Sequence, residues 1–322
     1  MMDWIYYLPV GLLLLAIEWS YIQLADKLNI VDRPHHQSSH VGVVIRGGGI
    51  IFYAAFVLWS ITHGFRWGGC LLGLTILAGI SFVDDVRSIS PKLRLVCQFI
   101  AILLMFNHSG LLHNSLHVII ILAIACVGVI NIYNFMDGIN GMTGGYSLVV
   151  SLAILYVNEN MVRFAPSSLI IYIILSIVVF NIFNFRRKAK CFAGDVGALS
   201  IGFIIVFFVL MLALRGHSMS WIAMLIVYGV DGGMTILHRI LLKENLMKPH
   251  KKHAYQIMAN ELNMPHLVVS GIYMGLQAAC CVAYIAFPGY MTFFIELILL
   301  ASMYLLFMKK YYKIHVNTGN RI

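Results

Sequence analysis

Apolar residues in this chain come in long blocks separated by short polar clusters, with no period-two alternation of the kind a half-buried strand shows. The blocks lie near 4–24, 47–63, 68–83, 93–108, 116–132, 142–158, 167–185, 197–214, 219–238, 266–286 and 290–308. A bilayer core roughly 30 Å thick takes about 20 apolar residues per helix. The pattern therefore predicts an all-α, polytopic transmembrane helix bundle of about 11 spans. The first block lacks a basic leader and a small-residue cleavage site, so it reads as a retained span. The fifth and sixth blocks flank a polar run at 131–141.

Composition sharpens this picture. Hydrophobic residues make up 61% of the 322 and charged residues only 11%, against roughly 25% charged in soluble domains. A net charge of +9 would suggest nucleic acid in a soluble protein, but Lys and Arg also gather in the cytoplasmic loops of membrane proteins. Here almost all of them fall in the loops after odd-numbered blocks and in the C-terminal tail, with Arg66, Arg163 and Arg215 on the opposite side. That places the N-terminus outside and the C-terminus in the cytoplasm, and excludes a nucleic-acid partner. The six cysteines form no C-x-x-C pair and read as small hydrophobes.

The acids share the basic side, in five candidate active-site loops at 25–46, 84–92, 131–141, 186–196 and 239–265 of a single membrane domain. Asp32 to His40 precedes Arg46-Gly47-Gly48-Gly49, where glycines let backbone approach a phosphate and Arg46 and His40 bind it. Asp84 and Asp85 abut an apolar run, a costly place for two carboxylates unless they are paired or bind a cation. A solvated loop is the bland reading. Asn131, Asn134 and Asp137 fall at steps of three and six, along one helical face. Such a row suits a metal–phosphate group, or a hydrogen-bond ladder between helices. Asp195 sits between Gly194 and Gly197, as metal ligand or as helix cap. His250, Lys252 and His253 suit a diphosphate or anionic lipid headgroups. Asp231 lies inside the ninth block, where an acid is functional by default or pairs with a neighbour such as Arg239. Walker, G-x-S-x-G and H-E-x-x-H motifs are absent.

In this order and on these loops, the five segments resemble the polyprenyl-phosphate N-acetylhexosamine-1-phosphate transferases of glycosyltransferase family 4, from about Asp32 to Gln256. The resemblance implies transfer of a sugar 1-phosphate from a UDP-N-acetyl sugar to undecaprenyl phosphate, with release of UMP and with Mg²⁺ (or Mn²⁺) as cofactor. It implies that Asp84 and Asp85 are the acidic pair, one acting on the lipid phosphate. It makes Asp195 a metal ligand with Asn134 beside it, and has Asn131 and Asp137 hold nucleotide and metal. Asp231 matches the family's ninth-span acid, and the His250–Lys252–His253 loop contacts the diphosphate, with His253 matching the family's first histidine. Asn140 departs from an Asp common in bacterial members, Val43-Val44-Ile45 lacks a common Pro, and Tyr255 replaces a second His. The H-x-x-H-A-Y-Q form points to O-antigen-initiating members of a bacterial inner membrane. The competing class is a cation-coupled transporter, and oligomeric state, homodimer included, stays open.

Overall fold

The computed structural model describes residues 6–32, 42–245 and 250–319, with side chains to 311. His40 lies outside the described residues. Helices form over the apolar blocks in order: α1 (Tyr7–Lys27), α2 (Ile50–Thr62), α3 (Gly68–Val86), α4 (Pro91–Ser109), α5 (Leu116–Met136), α6 (Met142–Asn160), α7 (Ser167–Asn184), α8 (Gly194–Arg215) and α9 (Ile226–Leu241). A short α10 (Ala254–Gln256) precedes α11 (His266–Ala286) and α12 (Tyr290–Gly319). A 3₁₀ segment, Met219–Leu225, runs into α9 and makes one continuous stretch with it. Strands β1 (Val31–Asp32) and β2 (Val44–Ile45) pair antiparallel, Val31 opposite Ile45.

Among the described residues, eight helices are long and apolar enough to cross a membrane, and the chain is a multi-pass membrane protein. Helices α2, α4 and α6 are not among the eight. Helix α2 is short because Gly47 to Gly49, expected inside the second span, form a turn before it. Helix α4 opens with Lys92 and Arg94. Helix α6 is enclosed by neighbours, which lets it carry buried Thr143, Ser147, Ser151 and Asn158.

The sequence explains which helix is central. Helix α8 is apolar on every side, so it has no face to offer water, and it is buried along almost its whole length. It packs against α2, α3, α5 and α6. Its start passes the start of α2 at backbone contact. A Cβ on Gly49 would lie 2.3 Å from Gly197 Cα, so only two facing glycines allow the crossing. Helix α12 sits at the rim, largely exposed, with α9 its main neighbour.

Three expected loop regions are helical in part. Asp84 and Asp85 occupy the last turn of α3, and Asn131 and Asn134 the last two turns of α5. Gly194 to Val196, expected in a loop, open α8. The fifth and eighth apolar blocks extend to the polar residues at their ends because each continues its helix to the edge of the bundle. The charged groups are thereby fixed to rigid elements.

Candidate active site

The ends of α3 and α8 meet at one point. Gly194 has φ +70°, and a Cβ there would strike Asp85 Oδ2 at 2.6 Å and Gly47 N at 2.8 Å. This glycine lets α8 begin directly against Asp85. The Asp85 carboxylate then accepts from Asp195 N–H (2.9 Å) and Val196 N–H (3.0 Å), two of the unpaired donors of the α8 N-terminus. Arg46 Nε lies 2.7 Å from the same carboxylate, whose side chain is fully buried.

Arg46 is held in turn by its backbone. Tyr21 donates to its carbonyl (2.7 Å), Phe192 N–H donates to Ile45 O (2.8 Å), and Gly48 N–H donates to Phe192 O (2.9 Å). Burial opposes the charge on Arg46, but Asp85, Asp195 and Asp32 outweigh it and hold the guanidinium above its ordinary range.

Asp84 faces the other way. Its Oδ1 accepts from Ile89 N–H (2.6 Å), and its Oδ2 pairs with Arg94 Nη1 (2.8 Å). Arg94 is presented by the first turn of α4, which Ser90 caps and Pro91 opens. Asp195 lies between the two arginines, 3.4 Å from Arg94 Nη1 and 3.7 Å from Arg46 Nη2. Three carboxylates and two guanidiniums thus form one cluster. Asp195 is its loosely held member, with neither oxygen bound by a backbone donor among the described residues.

Asp137 follows directly on α5. Burial pushes its carboxyl up to about 7, and the negative charges of Asp195 and Asp85 add to the rise, opposed by Thr143 and Arg46. Asp137 is therefore within electrostatic reach of the cluster. Asn134, half-buried, lies one turn earlier on the same helix. No three His, Cys, Asp or Glu side chains among the described residues form a ready metal cage. Mg²⁺ needs none, since one or two carboxylates plus substrate phosphates commonly hold it. The oxygen donors of Asp195, Asp137 and Asn134 fit such a cation.

The histidine loop meets the same end of α5. Tyr255 donates to Phe135 O (2.7 Å), and the rings of His250 and His253 each lie 6.2 Å from that of Phe135. His253 is 1% exposed, and its Nδ1 lies 3.2 Å from Asp231 Oδ1. Burial and the positive charge of neighbouring groups hold His250 down to about 3, so its imidazole is neutral. Lys252 is paired with Glu244, whose other oxygen accepts from Arg239 Nε (3.2 Å). Burial opposes the charge of Glu244, but bonds from Lys252 and Arg239 outweigh it and hold the carboxyl below its ordinary value.

Three candidates take structural places here. Asn131 is expected along one face with the metal group, but its Nδ2 donates to Gln98 Oε1 (2.8 Å) and Val127 O (2.8 Å), linking α5 to α4. Asn131→Leu is expected to cost about 1–3 kcal/mol by stranding buried Gln98, with much of the loss recovered when Gln98→Leu is added. Thermal unfolding in detergent measures both. Asp231 is 3% exposed and bonds the histidine loop through His253 Nδ1 and Ala254 N–H. Asn140 donates to Arg186 O (2.9 Å) and Arg187 O (3.3 Å), tying the α5–α6 turn to the loop before α8.

A cleft of about 1150 Å³ is lined by Val44 and Phe192, chain neighbours of Arg46 and Asp195, and by Arg187, Lys188, Asn140 and His266 among others. It is basic on one wall and carries an aromatic ring three residues before Asp195. The family described as Glycosyl transferase family 4 matches residues 67–213. This stretch resembles members of that family. It contains Asp84, Asp85, Arg94, Asp137 and Asp195, and not Arg46, Asp231 or His253.

Relatives extend the likeness. The chain is 25% identical over 256 residues to a probable undecaprenyl-phosphate N-acetylglucosaminyl 1-phosphate transferase of Bacillus subtilis (strain 168), covering 72% of this chain and 70% of that one. It is 29% identical over 218 residues to the undecaprenyl-phosphate alpha-N-acetylglucosaminyl 1-phosphate transferase of Yersinia pestis, covering 61% and 59%. The protein of that name from Escherichia coli (strain K12) is 28% identical over 210 residues, covering 58% and 56%. The match thus spans less than two thirds of the length of the last two relatives.

Sequence reading of this chain passes over Arg94 and Tyr255 as site residues. Arg94 looks like one more loop cation, and its signal is only its place four residues after the N-cap Ser90. Tyr255 looks like a lost histidine. Its hydroxyl fixes the loop to α5 instead, and a Cβ on Gly138 would lie 2.2 Å from that oxygen.

Proposed function

We propose that this protein transfers an N-acetylated sugar 1-phosphate from a UDP-sugar to undecaprenyl phosphate, releasing UMP. The relatives' names support sugar-1-phosphate transfer to that lipid. The observation that carries the reading is the cluster of Asp84, Asp85, Asp195, Arg46 and Arg94 at one end of the bundle, beside a basic cleft. We assign that end to the cytoplasmic face of a bacterial inner membrane, from the Lys and Arg distribution. The H-x-x-H-A-Y-Q loop supports the initiation of an O-antigen-type polysaccharide.

In this reading an oxygen of the lipid phosphate attacks the sugar-bearing phosphorus. The bond from that phosphorus to the oxygen bridging to UMP breaks, and UMP leaves with the electron pair. Phosphoryl transfer depends chiefly on positioning and charge neutralisation. Arg46 and Arg94 sit where they can draw phosphate oxygens toward the carboxylates, and Arg187 and Lys188 line the donor's approach. Asp84, on the outer edge of α3, orients the lipid phosphate. Asp85 builds the site by fixing the start of α8. Asp195, with Asp137 and Asn134, would hold Mg²⁺ or Mn²⁺, which neutralises the diphosphate charge when bound. His253 contacts the diphosphate.

The test is UMP release from UDP-GlcNAc, UDP-GalNAc and their 6-deoxy analogues, with detergent-purified protein. UMP is expected with at least one donor, and only when undecaprenyl phosphate and Mg²⁺ are both present. Sugar 1-phosphate formed without lipid would indicate a hydrolase. No UMP from folded protein with any donor would refute the reading.

A further inference from the structure

We propose that Asp231, Tyr273 and Thr235 form a buried clamp that sets the tautomer of His253 and leaves its Nε2 as the nitrogen offered to the substrate. This deepens the transferase reading and rests on it for the substrate's identity, but not for the clamp itself.

The clamp is built from three helices. Asp231 Oδ1 receives Thr235 Oγ1 of the same helix α9 (3.2 Å), His253 Nδ1 (3.2 Å) and Ala254 N–H (3.2 Å). Asp231 Oδ2 receives the hydroxyl of Tyr273 from α11. Thr235 is bonded to Tyr304 of α12 (2.9 Å). A carboxylate offers about four acceptor sites, and here four donors fill them. An ionised carboxylate can only accept, so the bond at Nδ1 places a proton there. The same side chain stands at the N-cap of α10, where it faces Gln256 N–H.

The other ring nitrogen has no such partner. His253 Nε2 is buried and bonded to nothing among the described residues, although 1% of the residue is exposed. Leaving a buried polar atom unpaired is destabilising. A fold that satisfies Nδ1 with a dedicated carboxylate and leaves Nε2 open is arranged for a missing partner. The ring is walled by Phe135 at 6.2 Å, His250 at 5.0 Å and Tyr255 at 5.8 Å. Phe135 lies in the last turn of α5, the helix that Asp137 follows, so the ring packs at the same helix end. The same logic, an Asp fixing one imidazole nitrogen so that the other faces the reaction, operates in hydrolytic triads.

Asp231 and Tyr273 are therefore positioning residues, acting through His253. Their helices α9, α11 and α12 lie outside residues 67–213, the stretch matched by the family.

The experiment uses full-length protein in lipid nanodiscs, labelled with ¹⁵N-histidine, with the His253 resonance assigned by loss in His253→Gln. In the wild type Nδ1 is expected to carry a proton. In Asp231→Ala that preference is lost. In Tyr273→Phe, which removes one hydroxyl and keeps the ring, the tautomer stays while kcat for UMP release falls about tenfold at unchanged KM for the UDP-sugar. Asp231→Glu restores part of the kcat that Asp231→Ala loses. An unprotonated Nδ1 in the wild type, or a His253 spectrum indifferent to Asp231→Ala, would overturn the clamp even if the enzyme is inactive with every donor. If Asp231→Ala fails to fold, the Tyr273→Phe split between kcat and KM decides. A fall in stability at full kcat would mean that Tyr273 is merely structural. Absence of UMP from the wild type, with the Asp231-dependent tautomer present, would refute the transferase and keep the clamp.

Discussion

Asp195→Asn is expected to lower UMP release by about 10²–10³-fold while leaving the protein folded. The geometry separates the two effects. Asp195 lies 3.4 Å and 3.7 Å from the arginines, whereas Arg94 is 2.8 Å from Asp84 and Arg46 is 2.7 Å from Asp85. Removing the Asp195 charge leaves both guanidiniums paired, and it relieves the crowding of three carboxylates. The midpoint of thermal unfolding is therefore expected to stay within a few degrees of the wild type. What is lost is the one carboxylate of the cluster not committed to a backbone donor, the group proposed to hold the divalent cation. The same variant should need far more Mg²⁺ for any residual activity, which a metal titration of UMP release measures. Full activity at ordinary Mg²⁺ would remove Asp195 from the proposed metal site.

Asp85→Ala is expected to do the reverse, costing about 3–5 kcal/mol of stability. Its carboxylate binds three donors at once: Asp195 N–H, Val196 N–H and Arg46 Nε. Truncation leaves two N–H groups of the α8 terminus without their acceptor and strips Arg46 of its near partner. Helix α8 is the buried centre of the bundle, so a loosened start reaches α2, α3 and α5 together. Asp85→Asn keeps an acceptor oxygen and should cost less, since the amide can still cap the helix while the ion pair is lost. Thermal unfolding in detergent, followed by tryptophan fluorescence, ranks the two variants. Loss of activity in Asp85→Ala would then report a collapsed site, and an undiminished Tm would show that Asp85 does not cap α8.

The two aspartates separate on facts absent from the sequence pattern. Asp85 and Asp195 are both acids at the edge of an apolar run, and nothing in their neighbours along the chain tells a cap from a free carboxylate. The difference appears only where α8 begins against α3, 110 residues later. Arg94 escaped notice for a related reason. A cation in the first turn of a helix is unremarkable until two carboxylates from other helices arrive beside it. Asn131 shows the converse case. Its row with Asn134 and Asp137 is real on the helix, but Gln98 of α4 takes its amide.

The sequence by itself determined the helices, because about 20 apolar residues in a bilayer admit almost no other structure. It also placed the polar segments at the helix ends, and their order carried the family resemblance. Only the tertiary structure decided what each polar side chain does. Hydrogen bonds and ion pairs reach about 3 Å, and here they join residues such as Asp231 and His253 or Asp85 and Val196 that are far apart in the chain. Which carboxylate is spent on holding a helix, and which is left for a ligand, is fixed by packing.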